Sequence, residues 1–434
     1  MIALPGATLV LPESVSTALL DHPPMLDALR RSHALGITLA AAGILMVTMG
    51  ARQSLGLFVG PLNTSTGLGI AAISFAMAVS QIAWGAVQPL AGAAADRWGP
   101  RPVLLVGIVL LALGSAITPL MSSTWGLVFS IGLVSAIGSG AGSFSVLIGA
   151  AAQRMSAEAR GAAAGVINAG GSLGQFVFAP LLQKLIQMMG WMGALYSLAA
   201  MTLLALPLVG RVAQRGHGVH STAPAATDAG LRATVRGAMG DRSYLLLHAG
   251  FFTCGFHIAF LVTHLPTEVD LCGLPPSVAS WSLALIGLAN IVGSLWVGHL
   301  VGVYRSKMIL ALMYASRALL VLWYLAMPRE PWVFYLFAIG LGLTWLATVP
   351  PTAGIVGKLF GVRYLGTLFG LTLLSHQVGG FLGAWLGGLA ITRFGDYTWM
   401  WWADIVLALL AAVLNLPIRE ARVVPLAASA AEGR

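Results

Sequence analysis

GAAADRWGPR, running from Gly92 to Arg101, puts Asp96, Arg97 and Arg101 into one short segment between two long apolar runs. Only 9% of the 434 residues are charged, and 58% are hydrophobic. A soluble domain of ordinary composition carries roughly 25% charged residues. This chain lacks the side chains to cover a water-facing surface. The charged decapeptide therefore reads as a loop at a membrane face, and the runs on either side of it read as helices that cross the bilayer.

Outward from that loop, apolar runs recur about twelve times, at 36–58, 72–94, 102–121, 125–148, 161–186, 190–210, 244–266, 277–301, 308–327, 331–354, 364–388 and 397–416. Each approaches the ~20 residues that carry a helix across a hydrocarbon core. The mean hydropathy of +0.88 agrees. The expected fold class is an all-α integral membrane protein with 12 transmembrane helices. The net charge of +9 is a topology signal. Most basic residues fall on alternate segments, among them Arg30, Arg31, Arg97, Arg101, Arg154, Arg160, Arg211, Arg215, Arg305, Lys307, Lys358 and Arg363. The opposite loops hold Lys184, Arg329 and Arg393. That bias places both termini in the cytoplasm and calls for no nucleic acid partner. The N-terminal stretch lacks the basic start and apolar core of a signal peptide.

The longest polar interruption, 211–243, is rich in Ala, Gly, Thr and Arg. It divides the chain into an N-terminal tail (1–34), a six-helix bundle (35–210), a cytoplasmic linker (211–243), a second six-helix bundle (244–417) and a C-terminal tail (418–434). Short helices are expected near Met25–Arg31 and Leu231–Met239. The halves echo each other, which in a membrane chain points to a transporter. A shift of 205 residues aligns Gly165 with Gly370, Gly174 with Gly379 and Phe176 with Phe381. A nearly equal shift carries Gly92 and Arg101 onto Gly298 and Lys307.

On these residues the chain resembles the major facilitator superfamily. That family's signature, in the loop between helices two and three, has the form G-x-x-x-D-R-x-G-x-R, and it stands here as Gly92, Asp96, Arg97, Gly99 and Arg101. The resemblance covers roughly 35–417. It implies that the loop is a gating latch, holding two bundles together on one side until that side opens. A plain basic loop would explain Arg97 and Arg101 but not Asp96 or the glycines. The second-half copy has decayed to Gly302 and Val303. Four further stretches narrow the resemblance: GARQSLGLFVGPL (Gly50–Leu62), GGSLGQFVFAPL (Gly170–Leu181), GFHIAFLVTHLP (Gly255–Pro266) and SHQVGGFLGAWLGG (Ser375–Gly388). They are similar to bacterial relatives of the monocarboxylate transporters and the oxalate–formate antiporter. That branch implies a small organic anion as substrate, the inner membrane of a bacterium as location, and a monomer.

A charge at mid-bilayer depth costs roughly 2.5–3.5 kcal/mol on insertion scales, so each polar group in a span needs a reason. Arg52 either holds a substrate carboxylate through its planar fork or snorkels to headgroups. Arg317 either faces the substrate or bonds to carbonyls or a hydroxyl such as that of Tyr314. Asn168, Ser172 and Gln175 form one polar stripe on span five, read either as substrate contacts or as packing. Thr344 and Trp345 precede Pro350–Pro351, which are expected to break span ten near its cytoplasmic end. His257 and His264 share a face of span seven, and His376 lies mid-span in helix eleven; all three are proton-relay candidates, each with packing as the alternative. Asp404 is the carboxylate inside a span, and no paired His–carboxylate motif is evident in the membrane.

Other classes find little support. Cys254 and Cys272 define no metal set or disulfide. No cofactor is implied and no P-loop pattern occurs. GGSLG at 170–174 lies within a span, where a nucleophile elbow is not expected. The expected function is a secondary carrier of a small organic anion, with proton coupling open. An exporter of drugs or other neutral solutes is the alternative, ahead of a membrane sensor or an intramembrane enzyme.

Overall fold

The computed structural model describes residues 35–152, 157–213, 231–361 and 365–420. The helix expected near Met25–Arg31, most of the linker and the C-terminal tail lie outside them, as does the Asp96 side chain. All regular structure among the described residues is helical. Ten helical stretches among these residues are long and apolar enough to cross a membrane.

The helices are labelled in chain order. In the first half, α1 is Leu35–Thr66, α2 Ile70–Trp98, α3 Pro100–Ile117 and α4 Thr124–Ala151, with α5 covering 157–189 and α6 191–203. In the second half, α7 is Arg242–Leu271, α8 Pro276–Val303, α9 Ser306–Ala326, α10 Pro331–Phe360, α11 Leu365–Phe394 and α12 Thr398–Asn415. A short helix, Leu231–Ala238, precedes α7.

The GPR of the opening stretch joins α2 to α3 through a single residue. Gly99 takes φ 83°, a conformation that costs other residues dearly. Pro100 then begins α3, where its missing N–H costs nothing. Gly190, at φ 73° and ψ 171°, breaks the 47-residue helical run Ala157–Leu203 in the same economical way and separates α5 from α6.

Three spans are not continuous helices. α1 unwinds at Ser54 and passes through a 3₁₀ turn, Leu55–Phe58, before resuming at Val59. α4 contains a π-helical stretch, Val128–Ser135, and a second break at Gly142. α10 stops at Thr344 and restarts at Val349. The break in α10 was expected at the prolines and falls before them. Pro350 and Pro351 occupy the first turn of the second half-helix, where proline is tolerated.

α1 packs most heavily on α5, and α7 on α11; across the halves, α11 meets α2 and α5 meets α8. The internal shift relates both pairs of contacts. Glycine makes the closest approaches possible. A Cβ at Gly174 would lie 2.1 Å from the Met46 carbonyl oxygen, and one at Gly379 would lie 2.0 Å from that of Phe252. Between the halves, a Cβ at Gly56 would lie 1.9 Å from the Val262 carbonyl oxygen.

Beyond α12 the chain is pinned to the second half. Glu420 accepts the Lys307 N–H at 2.7 Å and the Lys358 ammonium at 2.7 Å. Lys307 Nζ donates to the Leu416 carbonyl at 2.8 Å, and Arg419 pairs with Asp241 at 3.2 Å.

Candidate functional site

Arg52 sits in the last turn of helix before the break at Ser54. Its Nη2 donates to Gln81 Oε1, and its guanidinium lies 4.5 Å from the Trp84 ring centroid. Both partners come from α2. Arg52 borders a small recess lined by the hydroxyl-bearing Ser80, Ser115, Ser135 and Ser139. Ser80, Ser115 and Ser139 donate to carbonyls of their own helices, which leaves their oxygens able to accept. The fixed cation is what suits this end of the N-terminal half to a small anion; the serine hydroxyls can serve an anion only by turning their protons from the carbonyls to it.

The C-terminal half holds a buried polar cluster around the α10 break. Arg317, on α9, is 2% exposed. Its Nη2 donates to the Thr344 carbonyl and, at 2.8 Å, to the Trp345 carbonyl. Nε donates to Thr344 Oγ1 at 3.2 Å and Nη1 to Cys254 Sγ at 3.3 Å. A half-helix that ends inside a membrane leaves carbonyls without partners, and its C-terminal dipole end favours a cation. Arg317 meets both needs, so the structure brings Arg317, Thr344 and Trp345 together as a helix-end clamp. Asn290, on α8, satisfies another freed group by accepting the Leu346 N–H at 2.9 Å.

His257 and Asp404 form a buried pair. Nδ1 of His257 lies 2.5 Å from Asp404 Oδ2, and each side chain is 1% exposed. This corrects the expectation that no His–carboxylate pair exists in the spans. The two residues are 147 positions apart, on α7 and α12, and only the packing of those helices unites them. The His257 ring stands edge-on to Trp345, centroids 6.2 Å apart.

The other histidines differ. His264 has both ring nitrogens engaged, by Tyr397 Oη at 3.0 Å and by the Ala384 carbonyl at 2.7 Å. His376 packs on Phe251 and lies 3.4 Å from Gln377 Nε2. On α5, Ser172 Oγ contacts the Asn168 carbonyl at 3.5 Å and accepts from Asn290 Nδ2 at 2.8 Å across the two halves. Gln175 is buried on the same stripe, and its Nε2 has no partner. Arg97 lies exposed over Trp98 at 5.5 Å, and Arg101 is exposed in the first turn of α3. Gly92 lies 4.0 Å from Ser145 Cβ by its own would-be Cβ. Among the described residues no group of three His, Cys, Asp or Glu is placed to hold a metal.

A model of the Major Facilitator Superfamily matches residues 41–384 and 272–433. The chain belongs to the major facilitator superfamily. Within that superfamily it is 29% identical over 324 residues to monocarboxylate transporter 13 of Rattus norvegicus, covering 72% of this chain and 71% of the relative. It is 28% identical over 341 residues to monocarboxylate transporter 11 of Homo sapiens, covering 75% and 69%. An uncharacterized MFS-type transporter of Bacillus subtilis is 23% identical over 376 residues, covering 84% and 90%. Among solved structures, a D-xylose–proton symporter superposes with a TM-score of 0.72 at 15% identity, covering 88% of this chain and 97% of that one. This major facilitator chain is thus a multi-pass membrane transporter, with monocarboxylate transporters among its relatives.

Sequence reasoning singled out Arg52, Arg317 and the histidines because charge in a span is expensive. It missed Gln81, Trp84, Cys254, Asn290 and the role of Asp404. Asp404 carried its own signal, as an ionisable residue inside a span without a partner yet assigned.

Proposed function

We propose that this transporter is a secondary carrier of small organic anions of the monocarboxylate class. It works by alternating access of two six-helix bundles with both termini cytoplasmic. It acts as a monomer in the inner membrane of a bacterium. The observation that carries the substrate class is Arg52, held by Gln81 and Trp84 beside a recess of serine hydroxyls. The names of the relatives support the same class. Asn168, Gln175 and Thr344 are secondary contacts in this reading. Arg317, with its donors spent on the α10 break, shapes the site from behind.

Alternating access is supported by the uneven packing between the halves. Gly56 approaches Val262 and Gly388 approaches Ser74, whereas Gly165, Gly298 and Gly370 have nothing within 4 Å of a would-be Cβ. In this reading the Gly92–Arg101 loop acts as the latch, with Asp96 its essential carboxylate. Protons are the coupling ion. His264, with both nitrogens engaged, is the weakest of the three relay candidates, and His257 and His376 remain.

The test is uptake of a panel of radiolabelled mono- and dicarboxylates into proteoliposomes, with Arg52→Gln beside the wild type. Wild-type uptake of a monocarboxylate, lost in a folded Arg52→Gln protein, is the expected result. Normal uptake by Arg52→Gln would leave snorkelling as the role of Arg52. Extrusion of neutral solutes with no anion uptake would favour the exporter reading. Asp96→Asn should slow transport more than Gly302→Asp, and equal wild-type rates in Asp96→Asn would remove the latch.

A further inference from the structure

We infer that the His257–Asp404 pair is the proton-binding site, with Nε2 of His257 as the atom that takes the proton. This deepens the proton-coupled reading above by naming the atom and the positioning residue. Nδ1 of His257 and Oδ2 of Asp404 are hydrogen-bonded, so the two share one proton. With Asp404 ionised, that proton is the Nδ1–H of a neutral imidazole, and Nε2 keeps its lone pair. Neither His257 Nε2 nor Asp404 Oδ1 has a partner, although both are buried. Asp404 fixes the ring and its tautomer; His257 Nε2 is left as the vacant acceptor.

The surrounding charges give this acceptor a reason to load. Arg317 is permanently cationic and Asp404 lies within its electrostatic reach. With His257 neutral, the two charges balance. One added proton turns the imidazole into imidazolium and leaves the cluster with a net positive charge. Such a charge is costly in a low-dielectric interior unless a counter-ion arrives. A bound monocarboxylate is that counter-ion. By reciprocity, each ligand then raises the affinity for the other. The proton comes from water on the loading side and returns to water on the other, with no bond in the anion made or broken.

The groups facing the pair leave no better acceptor in the cluster. On α7, the Cys254 thiol is engaged by Arg317 and lies 3.4 Å from Thr348 Oγ1, and the His264 nitrogens are both used. From α9 come Arg317 and Tyr314, whose ring lies 5.6 Å from the guanidinium. The α10 break contributes Thr344, Trp345 and Thr348, none of which titrates. α8 carries no ionisable residue before His299. From α11, His376 faces Cys254 and Gln377. In the other half, Arg52 on α1 is engaged by Gln81 and Trp84.

Trp345 offers a readout that needs no substrate, because a protonated imidazole edge-on to an indole quenches its fluorescence. Purified protein titrated with acid should show a one-proton fluorescence step. The step should vanish in His257→Gln and in Trp345→Phe, and its midpoint should move by about one pH unit or more in Asp404→Asn. A step unchanged in His257→Gln, or an unmoved midpoint in Asp404→Asn, overturns the proposal. If His257→Gln does not fold, the isosteric Asp404→Asn and Trp345→Phe proteins decide. A second arm uses radiolabelled L-lactate in proteoliposomes. In His257→Gln, proton-driven accumulation should fall roughly tenfold or more, within the usual range of coupling between two ligands, and lactate–lactate exchange should lose the rise on acidification that the wild type shows. Full proton-driven accumulation in that variant also overturns the proposal. A wild type that titrates as described yet moves no carboxylate overturns the anion reading and leaves the proton site standing.

Discussion

The side-chain amide of Asn290 donates to Ser172 Oγ at 2.8 Å, from the second half of the chain to the first. The same amide group, through Oδ1, accepts the Leu346 N–H from the α10 break at 2.9 Å. One residue therefore ties a break in one bundle to the surface of the other. Asn290→Ala leaves the half-buried Leu346 N–H unpaired and also loses the bond to Ser172, at roughly 1–3 kcal/mol in all. Ser172→Ala strands one N–H of the buried Asn290 amide but keeps the Leu346 contact, so it forfeits one of the two bonds that Asn290→Ala forfeits together. Thermal unfolding of the purified variants should rank them in that order, and equal melting temperatures would deny the Leu346 contact its weight.

Arg317→Gln should be more destabilising than Arg52→Gln. Loss of Arg317 strands two carbonyls at the end of a half-helix and leaves Asp404 without its nearby cation. Breaking a buried charge arrangement of this kind costs roughly 3–5 kcal/mol. Arg52 is only partly buried, and its loss should show in substrate binding more than in melting. Fluorescence-detected size-exclusion profiles after heating would separate the two; a reversed order would recast Arg317 as the substrate contact.

Aligned glycines should part company according to where they sit. Gly174→Ala and Gly379→Ala each drive a methyl group into a carbonyl oxygen of the neighbouring helix, at 2.1 and 2.0 Å. Both should lower stability by roughly 1–3 kcal/mol, as overpacking does. Gly165→Ala and Gly370→Ala meet open space. In a helix interior that exchange is stabilising by roughly 0.5–1 kcal/mol. Opposite signs in the two sets of melting shifts are the expected outcome.

Glu420 predicts a pH dependence outside the membrane spans. Burial disfavours its charge, but the Lys307 N–H and the Lys358 ammonium outweigh burial and hold the carboxyl below its usual range. A depressed folded value means the stabilisation is complete above the ordinary Glu pKa of about 4.3 and is lost as pH falls through the folded value. Lys358 is 42% exposed, so the pair contributes no more than about 1 kcal/mol. Glu420→Gln should lower the melting temperature at neutral pH, with the difference closing as the medium is acidified below that range. A constant difference at all pH values would rule the ionised form out as the source.

The helical membrane architecture was legible because apolar runs of bilayer length are a one-dimensional property. The repeat was legible for a similar reason: Gly174 and Gly379 mark helix contacts that recur at a fixed shift. Arg52 and Arg317 stood out by charge alone, but their neighbours did not. Gln81 and Trp84 are unremarkable letters until α2 is laid beside α1. His257 and Asp404 meet only when α7 packs on α12, and no local spacing encodes that. The position of the α10 break was displaced by the same limitation. Pro350–Pro351 drew attention as breakers, whereas the chain uses them to start a half-helix and lets Arg317 and Asn290, from other helices, stabilise the unwound residues.

Gly190 bears on how the first half moves. It separates α5 from α6 by one residue, with no intervening loop. A connection that short has no slack. A displacement imposed on α5, such as one transmitted through Asn290 to Ser172, must be handed on to α6 instead of being absorbed between them. Mechanically, α5 and α6 are geared, whereas the interrupted α1, α4 and α10 are jointed. Any rearrangement in this protein should consequently divide into joint movement of the α5–α6 pair and local flexing at those breaks.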